Sequence, residues 1–445
     1  MGERVVVVGG GLAGCECALQ LARRDVPVTL FEQRPGRMTP AHSGAGLAEL
    51  VCSNSLKSTR RESAAGLLKL ELEAMGCELL RIARTCSVDA GGALAVDRDR
   101  FSEAVGRAVE EAPLVELRRE EVRRVPDGPC VVAAGPLCSD ELFADVGRIV
   151  GSEALSFYDA VAPIVDASTV DRDVAFAQSR WDEAGSGDYL NCPFDREGYE
   201  AFWRELVAAE RALDHDFGRR DLFCACQPVE EVARTGVDAL RFGALKPVGL
   251  ADPATGERPW AVVQLRAENA SRTAYNLVGF QTNLTWPEQR RVFRMIPGLE
   301  RAEFFRYGVM HRNSFVDAPH VLNATFRVPG TRTRLAGQIC GTEGYVEAIA
   351  SGLLAALNTW ADLAGAAPCE LPATGALGSL VAYATDPSCV DYQPMHVNFG
   401  LVPPLGGRRL RKRERYARYV DRALDDLAAY VASRPDLFPE GERRA

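Results

Sequence analysis

Residues 5–32, VVVVGGGLAGCECALQLARRDVPVTLFE, constrain the fold more than any other part of the chain. Four consecutive valines read as a strand buried on both faces, the habit of parallel sheets. Gly9, Gly11 and Gly14 follow at G-x-G-x-x-G spacing, with Gly10, Leu12 and Ala13 filling the turn. The spacing predicts a helix from about Leu12 to Arg24, with Leu12, Cys15, Leu19 and Ala22 on one face. A second strand, VTLFE, ends at Glu32. Glycines at these places permit a sharp turn and let the backbone approach a pyrophosphate at the helix N-terminus. An acid at the end of the second strand is placed to accept from ribose hydroxyls. The glycine spacing alone is weak. Its setting between two strands, with the acid at the expected distance, favours a dinucleotide site over an ordinary glycine turn. The acid favours FAD or NAD over NADP.

Two later stretches narrow the choice. PCVVAAGPLCSDEL (129–142) reads as another buried strand ending at Gly135. TRLAGQICGTEGYVEAIASGLLAALN (333–358) reads as a strand, a glycine-rich turn and a small-residue helix. There Gly337, Gly341, Gly344 and Gly352 would let backbone pass close to a flavin and pack a helix on the sheet. Such a two-part return is typical of glutathione-reductase-like flavoproteins, so FAD is the better reading, by fold analogy. The predicted class is α/β: an FAD-binding Rossmann domain, in two parts at 1–154 and 331–445, with an inserted α+β substrate domain at 155–330. The insert alternates short β-type and helical runs and is rich in aromatics. No internal repeat is visible. The C-terminal GGRRLRKRERYARYVDRALDDLAAYVA is a basic run leading into an amphipathic helix, and by itself reads as a solvated terminal helix.

At 445 residues the chain is long enough for two or three domains. A formal charge of −9 argues against a general polyanion binder but leaves room for a local basic patch. No apolar run reaches the roughly 18 residues needed to span a membrane. The start shows no signal-peptide pattern, so a cytoplasmic protein is expected. Thirteen cysteines without framework spacing then read as reduced thiols. Most of them, including Cys15, Cys17, Cys77, Cys130 and Cys340, read as small buried hydrophobes. Cys52 is different, because ELVCSNSLKS (49–58) has the composition of a loop. Cys224 and Cys226 form Cys-Ala-Cys in FCACQPVEE. Zinc pairs usually have wider spacing and a second pair, so no metal is expected.

These segments, with LLKLELEAMG, RFGALKPVGL, AYNLVGFQTNLTWPEQRRVFRMIPGLE, YGVMHRNSF and QPMHVNFGLVPP, resemble the bacterial folate- and FAD-dependent tRNA (uracil-5-)-methyltransferases over nearly the whole chain. Related flavoproteins that modify wobble uridines share the nucleotide-binding parts but are longer. The resemblance implies that carbon comes from 5,10-methylenetetrahydrofolate, hydride from FAD reduced by NAD(P)H, and that the acceptor is C5 of a T-loop uridine in tRNA. Uracil C5 is a poor nucleophile. A thiolate adding at C6 makes an enolate able to attack an electrophilic methylene, and a second group must then take the C5 proton. By resemblance Cys226 is the C6 nucleophile and Cys52 the acid/base or flavin-side thiol, and the two roles could be exchanged. Lys246, His311, Arg312 and Asn313 are expected to contact folate or RNA. Arg290, Arg291 and Arg294 with Trp286 form either an RNA-facing patch or the outer face of a helix. A wobble-uridine modifier, a ribosomal-RNA methyltransferase, an NADH-dependent flavin oxidoreductase and a non-catalytic flavin scaffold stay open. Oligomeric state is not indicated.

Overall fold

The computed structural model describes residues 2–151, 155–181, 187–213, 227–390, 392–406 and 410–439, without the side chains of 155–158 and 312. Strand β1 (Val5–Val8) leads through the glycine turn into helix α1 (Leu12–Ala22), then strand β2 (Val28–Phe31). β1 lies at the centre of a five-stranded parallel sheet. Its order is Thr333–Leu335, Cys130–Val132, β1, β2, Val115–Arg118. Parallel pairing requires crossover segments that cover the sheet, and the inner strands β1 and Cys130–Val132 accordingly read as continuous apolar runs.

The helix differs from expectation in one respect. α1 is buried continuously from Leu12 to Leu21, not along one face. It is sandwiched between the sheet and helix α2 (Tyr345–Ala364), whose Gly352 comes so close that an added Cβ would stand 2.1 Å from the Ala13 carbonyl oxygen. Small residues on both helices make that approach possible. The helix also ends at Ala22, short of Arg24.

The insert has its own centre. A six-stranded sheet runs Phe176–Ala177, Tyr189–Phe194, Ala261–Ala267, Ala274–Leu277, Ile164–Asp166, Phe304–Arg306. It is antiparallel throughout. Its core holds Phe194, Tyr199, Phe202, Phe280 and Phe293, separate from the core around β1. The two bodies are linked by an antiparallel ribbon, Leu155–Ala160 against Met310–Phe315. Helix α3 (Lys412–Ser433) closes the chain and packs through Val420, Ala423 and Leu427 into the core around β1.

Candidate active site

The turn after β1 is closed by backbone on nearly every side. Gly9 has φ 109°, and a Cβ there would lie 2.4 Å from the Ala133 carbonyl oxygen. A Cβ on Gly14 would stand 1.9 Å from the Gly9 carbonyl oxygen. Gly11 is the exception, since a Cβ there meets nothing within 4 Å. Gly11 faces a cavity of about 580 Å³ that runs from this turn to Cys52 and on to the start of α2. Glu32 lines the same end. Its Oε2 accepts from the Gly10 N–H (3.0 Å) and from Arg34 Nη2 (3.3 Å). Its Oε1 accepts from the Arg34 N–H and Nε, both at 2.9 Å. Arg34 also reaches Glu49 at 2.9 Å. Burial pushes the Glu32 carboxyl up, but the Arg34 guanidinium outweighs it and leaves the group below its ordinary range.

At the other end stands Cys52. Its N–H and that of Ser53 donate to the Tyr345 hydroxyl, at 2.7 and 3.2 Å. Its Sγ meets the Ala160 carbonyl (3.8 Å) and Gln281 Nε2 (3.9 Å). Burial pushes the thiol up to about 12, and the nearby Asp159 carboxylate adds to this. Glu343, half-buried at the same end near Asp159, is pushed up to about 8 by its partial loss of water first and that neighbour second, and it accepts from Gln338 Nε2. His311 lines the wall with Nδ1 unpartnered, and burial lowers it to about 4. Lys57, in the left-handed region at φ 64°, lies along the cavity and pairs with the buried Glu347 of α2 at 2.9 Å. A non-glycine residue held there marks a loop over-determined by its surroundings. Gly344 has φ 115°, and a Cβ would come 2.7 Å from Lys57 Nζ, so glycine is needed for this pair to form.

The family model described as glucose inhibited division protein A matches residues 4–367. The methylenetetrahydrofolate–tRNA-(uracil-5-)-methyltransferase TrmFO of Geobacter sulfurreducens is 53% identical over 431 residues, 96% of this chain and 99% of the relative. That of Moorella thermoacetica is 50% identical over 427 residues, 96% and 98% of the two chains. The chain belongs to the TrmFO family. Among solved structures, Aquifex aeolicus GidA in its form I crystal superposes with a TM-score of 0.71 at 18% identity, over 99% of this chain and 77% of that one. At that identity the likeness establishes a shared fold.

The cofactor expected of a TrmFO-family chain fits the residues present. The one open glycine of the turn faces the cavity at a helix N-terminus, where a pyrophosphate binds, and Asn313 lines the far wall with an unpartnered buried Oδ1. Gly9, Gly11, Leu12, Ala13, Glu32, Gly337, Gly344, Cys52, His311 and Asn313 all line this one cavity. Gly10 and Gly14 shape the turn behind it, Gly10 through its hydrogen bond to Glu32. Gly341 packs against Tyr392, where a Cβ would meet the hydroxyl at 1.9 Å. Arg312 lies on the ribbon strand with its side chain outside the described residues, as Cys224 and Cys226 also are. Lys246 is exposed and does not line the cavity. Arg290 and Arg294, at the end of helix Trp286–Phe293, pair with Glu303, Arg291 pairs with Glu205 and Glu288, and Trp286 stacks on Tyr307. Cys15, Cys17, Cys77, Cys130 and Cys340 are buried.

Sequence reasoning did not single out Tyr345, Gln281, Glu343, Asp159, Arg34 or Arg98. Tyr345, Glu343 and Gln281 lie inside segments that carried the family resemblance, and a polar residue in such a segment was the available signal. Asp159, Arg34 and Arg98 lie outside those segments, and only the fold brings them to the site.

Proposed function

We propose that this chain methylates uridine C5 in the T-loop of tRNA, giving 5-methyluridine, with carbon from 5,10-methylenetetrahydrofolate. The observation that carries the proposal is a single cavity joining the dinucleotide turn to Cys52, in a chain half identical to named TrmFO enzymes along its length. Gly9–Gly14 and the return at Gly337–Gly344 would hold FAD, which, once reduced by NAD(P)H, would supply the hydride that saturates the transferred carbon. The rest is work for side chains. The Cys226 sulfur adds to uracil C6 and places negative charge on C5, which attacks the folate methylene; loss of the C5 proton then expels the tetrahydrofolate nitrogen and leaves an exocyclic methylene, and addition of a hydride to that carbon expels the sulfur and restores the ring with its methyl group. Cys52 exchanges that proton. Its thiol is pushed towards the protonated form by burial first and Asp159 second, a form that does not attack C6 and can give a proton; it takes up the C5 proton only after passing its own on. Glu343 is a second proton carrier at the same end. The described chain resumes at Gln227, and the Val229 N–H donates to the carbonyl of Gln281 (2.7 Å), whose side chain meets Cys52 Sγ. Cys226 itself lies outside the described residues, and its role here rests on the family resemblance. His311, Arg312 and Asn313 are assigned to folate or base contacts and Lys246 to RNA phosphate. The insert 155–330 is assigned to substrate, and the site of action to the cytoplasm.

The test is transfer of labelled carbon from methylenetetrahydrofolate into a tRNA transcript, with NAD(P)H present. Label in 5-methyluridine is expected. Methylation driven by S-adenosylmethionine alone, or flavin turnover with no label in RNA, overturns the proposal.

A further inference from the structure

Cys52 sits on a loop whose only regular structure is the short strand Ser55–Ser58. Its position is fixed from the insert. Arg98, the first residue of helix Arg98–Glu110, donates to the carbonyls of Leu50 and Cys52, the latter at 3.3 Å, and forms an ion pair with Glu268. The two side chains are 13% and 6% exposed, so the pair is shielded from water. On the other side of the thiol, Asn54 Nδ2 donates to the carbonyls of Ala267 (2.9 Å) and Val96 (3.0 Å), and its Oδ1 accepts from Arg266 Nε (2.7 Å). Of three consecutive insert residues, Arg266 and Ala267 therefore engage the loop directly at Asn54, and Glu268 engages it at Leu50 and Cys52 through Arg98. A cation in the first turn of a helix works against the helix dipole, so helix stability does not explain Arg98. A planar guanidinium that serves three acceptors at once does.

We propose that Arg98 is a positioning residue for Cys52: with Glu268 it locks the thiol loop to the insert, so that two bodies with separate cores present one reaction centre in fixed register. The proposal rests on the reading of Cys52 as a catalytic thiol. Charged or titratable groups facing that thiol are Asp159, Tyr345, Arg306 and Arg98, of which Arg98 belongs to the clamp.

The test uses the full FAD-loaded chain with R98Q, R98K and E268Q. Turnover is expressed per bound FAD, and alkylation of Cys52 by iodoacetamide at fixed pH is followed by peptide mass mapping. R98Q should lose kcat by ~10²-fold, the scale of a misplaced catalytic group, with KM for tRNA and folate unchanged. R98K should recover part of the loss. Both R98Q and E268Q release the lock, so Cys52 alkylation should quicken in both, and R98K should return it towards wild type. A role in general stability alone predicts a lower melting temperature with kcat per bound FAD and the Cys52 alkylation rate at wild-type values. That result, or wild-type kcat in R98Q, overturns the proposal. Should R98Q fail to fold, R98K and E268Q decide by the same two readouts. Full turnover in Cys52→Ala would remove the catalytic reading of Cys52 instead, while the alkylation result would still report on the clamp.

Discussion

The cavity has two ends made of similar side chains under opposite electrostatics. Around the glycine turn, Glu32 and Glu49 share Arg34, which is 2% exposed, and Glu32 is held as a carboxylate. Near Cys52, a half-buried Glu343 lies within the electrostatic reach of the buried Asp159, and Lys57 is paired with Glu347 instead. There the Glu343 proton is retained up to about pH 8, and the Cys52 thiol is pushed higher still. One end has its charges fixed in advance, which suits holding a ligand in one pose. The other stores protons, which suits a reaction that must give and take them.

The sharpest test of this division lies in two glycines three residues apart. Gly11→Val projects into open cavity space, so it should abolish FAD binding while circular dichroism and melting stay close to wild type. Gly14→Val drives a side chain into the Gly9 carbonyl, so it should lose the fold and the flavin together. If Gly11→Val still purifies yellow, the first end does not hold the dinucleotide.

At the second end the thiols should separate. Cys226→Ala should abolish turnover and also the covalent adduct expected with 5-fluorouridine in the target position, since fluorine replaces the proton that must leave. Cys52→Ala should lose turnover by ~10²-fold, the scale of an acid/base group, and retain some adduct and bound FAD. An adduct lost in Cys52→Ala but kept in Cys226→Ala would exchange their roles.

Arg34→Ala probes the first end by energy. It leaves the buried Glu32 and the half-buried Glu49 without their shared cation, and breaking a buried pair costs ~3–5 kcal/mol. A large drop in the urea midpoint is expected, with Arg34→Lys recovering only part because it cannot make the paired contacts of a guanidinium. An unchanged midpoint would mean that water already reaches this end.

The difference between the ends also explains what was legible in the sequence. Gly9, Gly11, Gly14 and Glu32 are local in the chain, and their chemistry follows from spacing within one β–α–β unit. The second end is assembled from residues 52, 159, 281, 311, 313 and 343–345, which meet only after two bodies have folded and joined. Cys52, His311 and Asn313 were visible through family resemblance; Asp159 and Arg98 were not, because an acid on a ribbon strand and an arginine at a helix start look like ordinary surface residues. The continuous burial of α1 was hidden for the same reason. Its second buried face is created by Gly352 and its neighbours, more than three hundred residues later.

The smallest expected effect is the most specific to the second end. Glu343 has an ordinary value of 4.5 when solvated, and burial with Asp159 alongside raises it to about 8 in the folded chain. Between those values the unfolded chain has released this proton and the folded chain has kept it. The folded state thus binds more protons, so this group makes stability fall as pH rises through that window, at up to about 1.4 kcal/mol per pH unit. Glu343→Gln is neutral at every pH and keeps an amide oxygen to accept from Gln338, so it should remove the slope. The variant should be more stable than wild type near pH 8 and equal to it near pH 4.5. His42 and His311, both lowered to about 4 mainly by burial, act in the opposite sense, weakening the fold as pH falls below 6.5. Their contribution is common to both proteins and cancels in the difference. Urea midpoints measured across this range read that difference directly. A difference that stays flat with pH would mean Glu343 is ionised in the folded chain, and the contrast between the two ends would then rest on Cys52 alone.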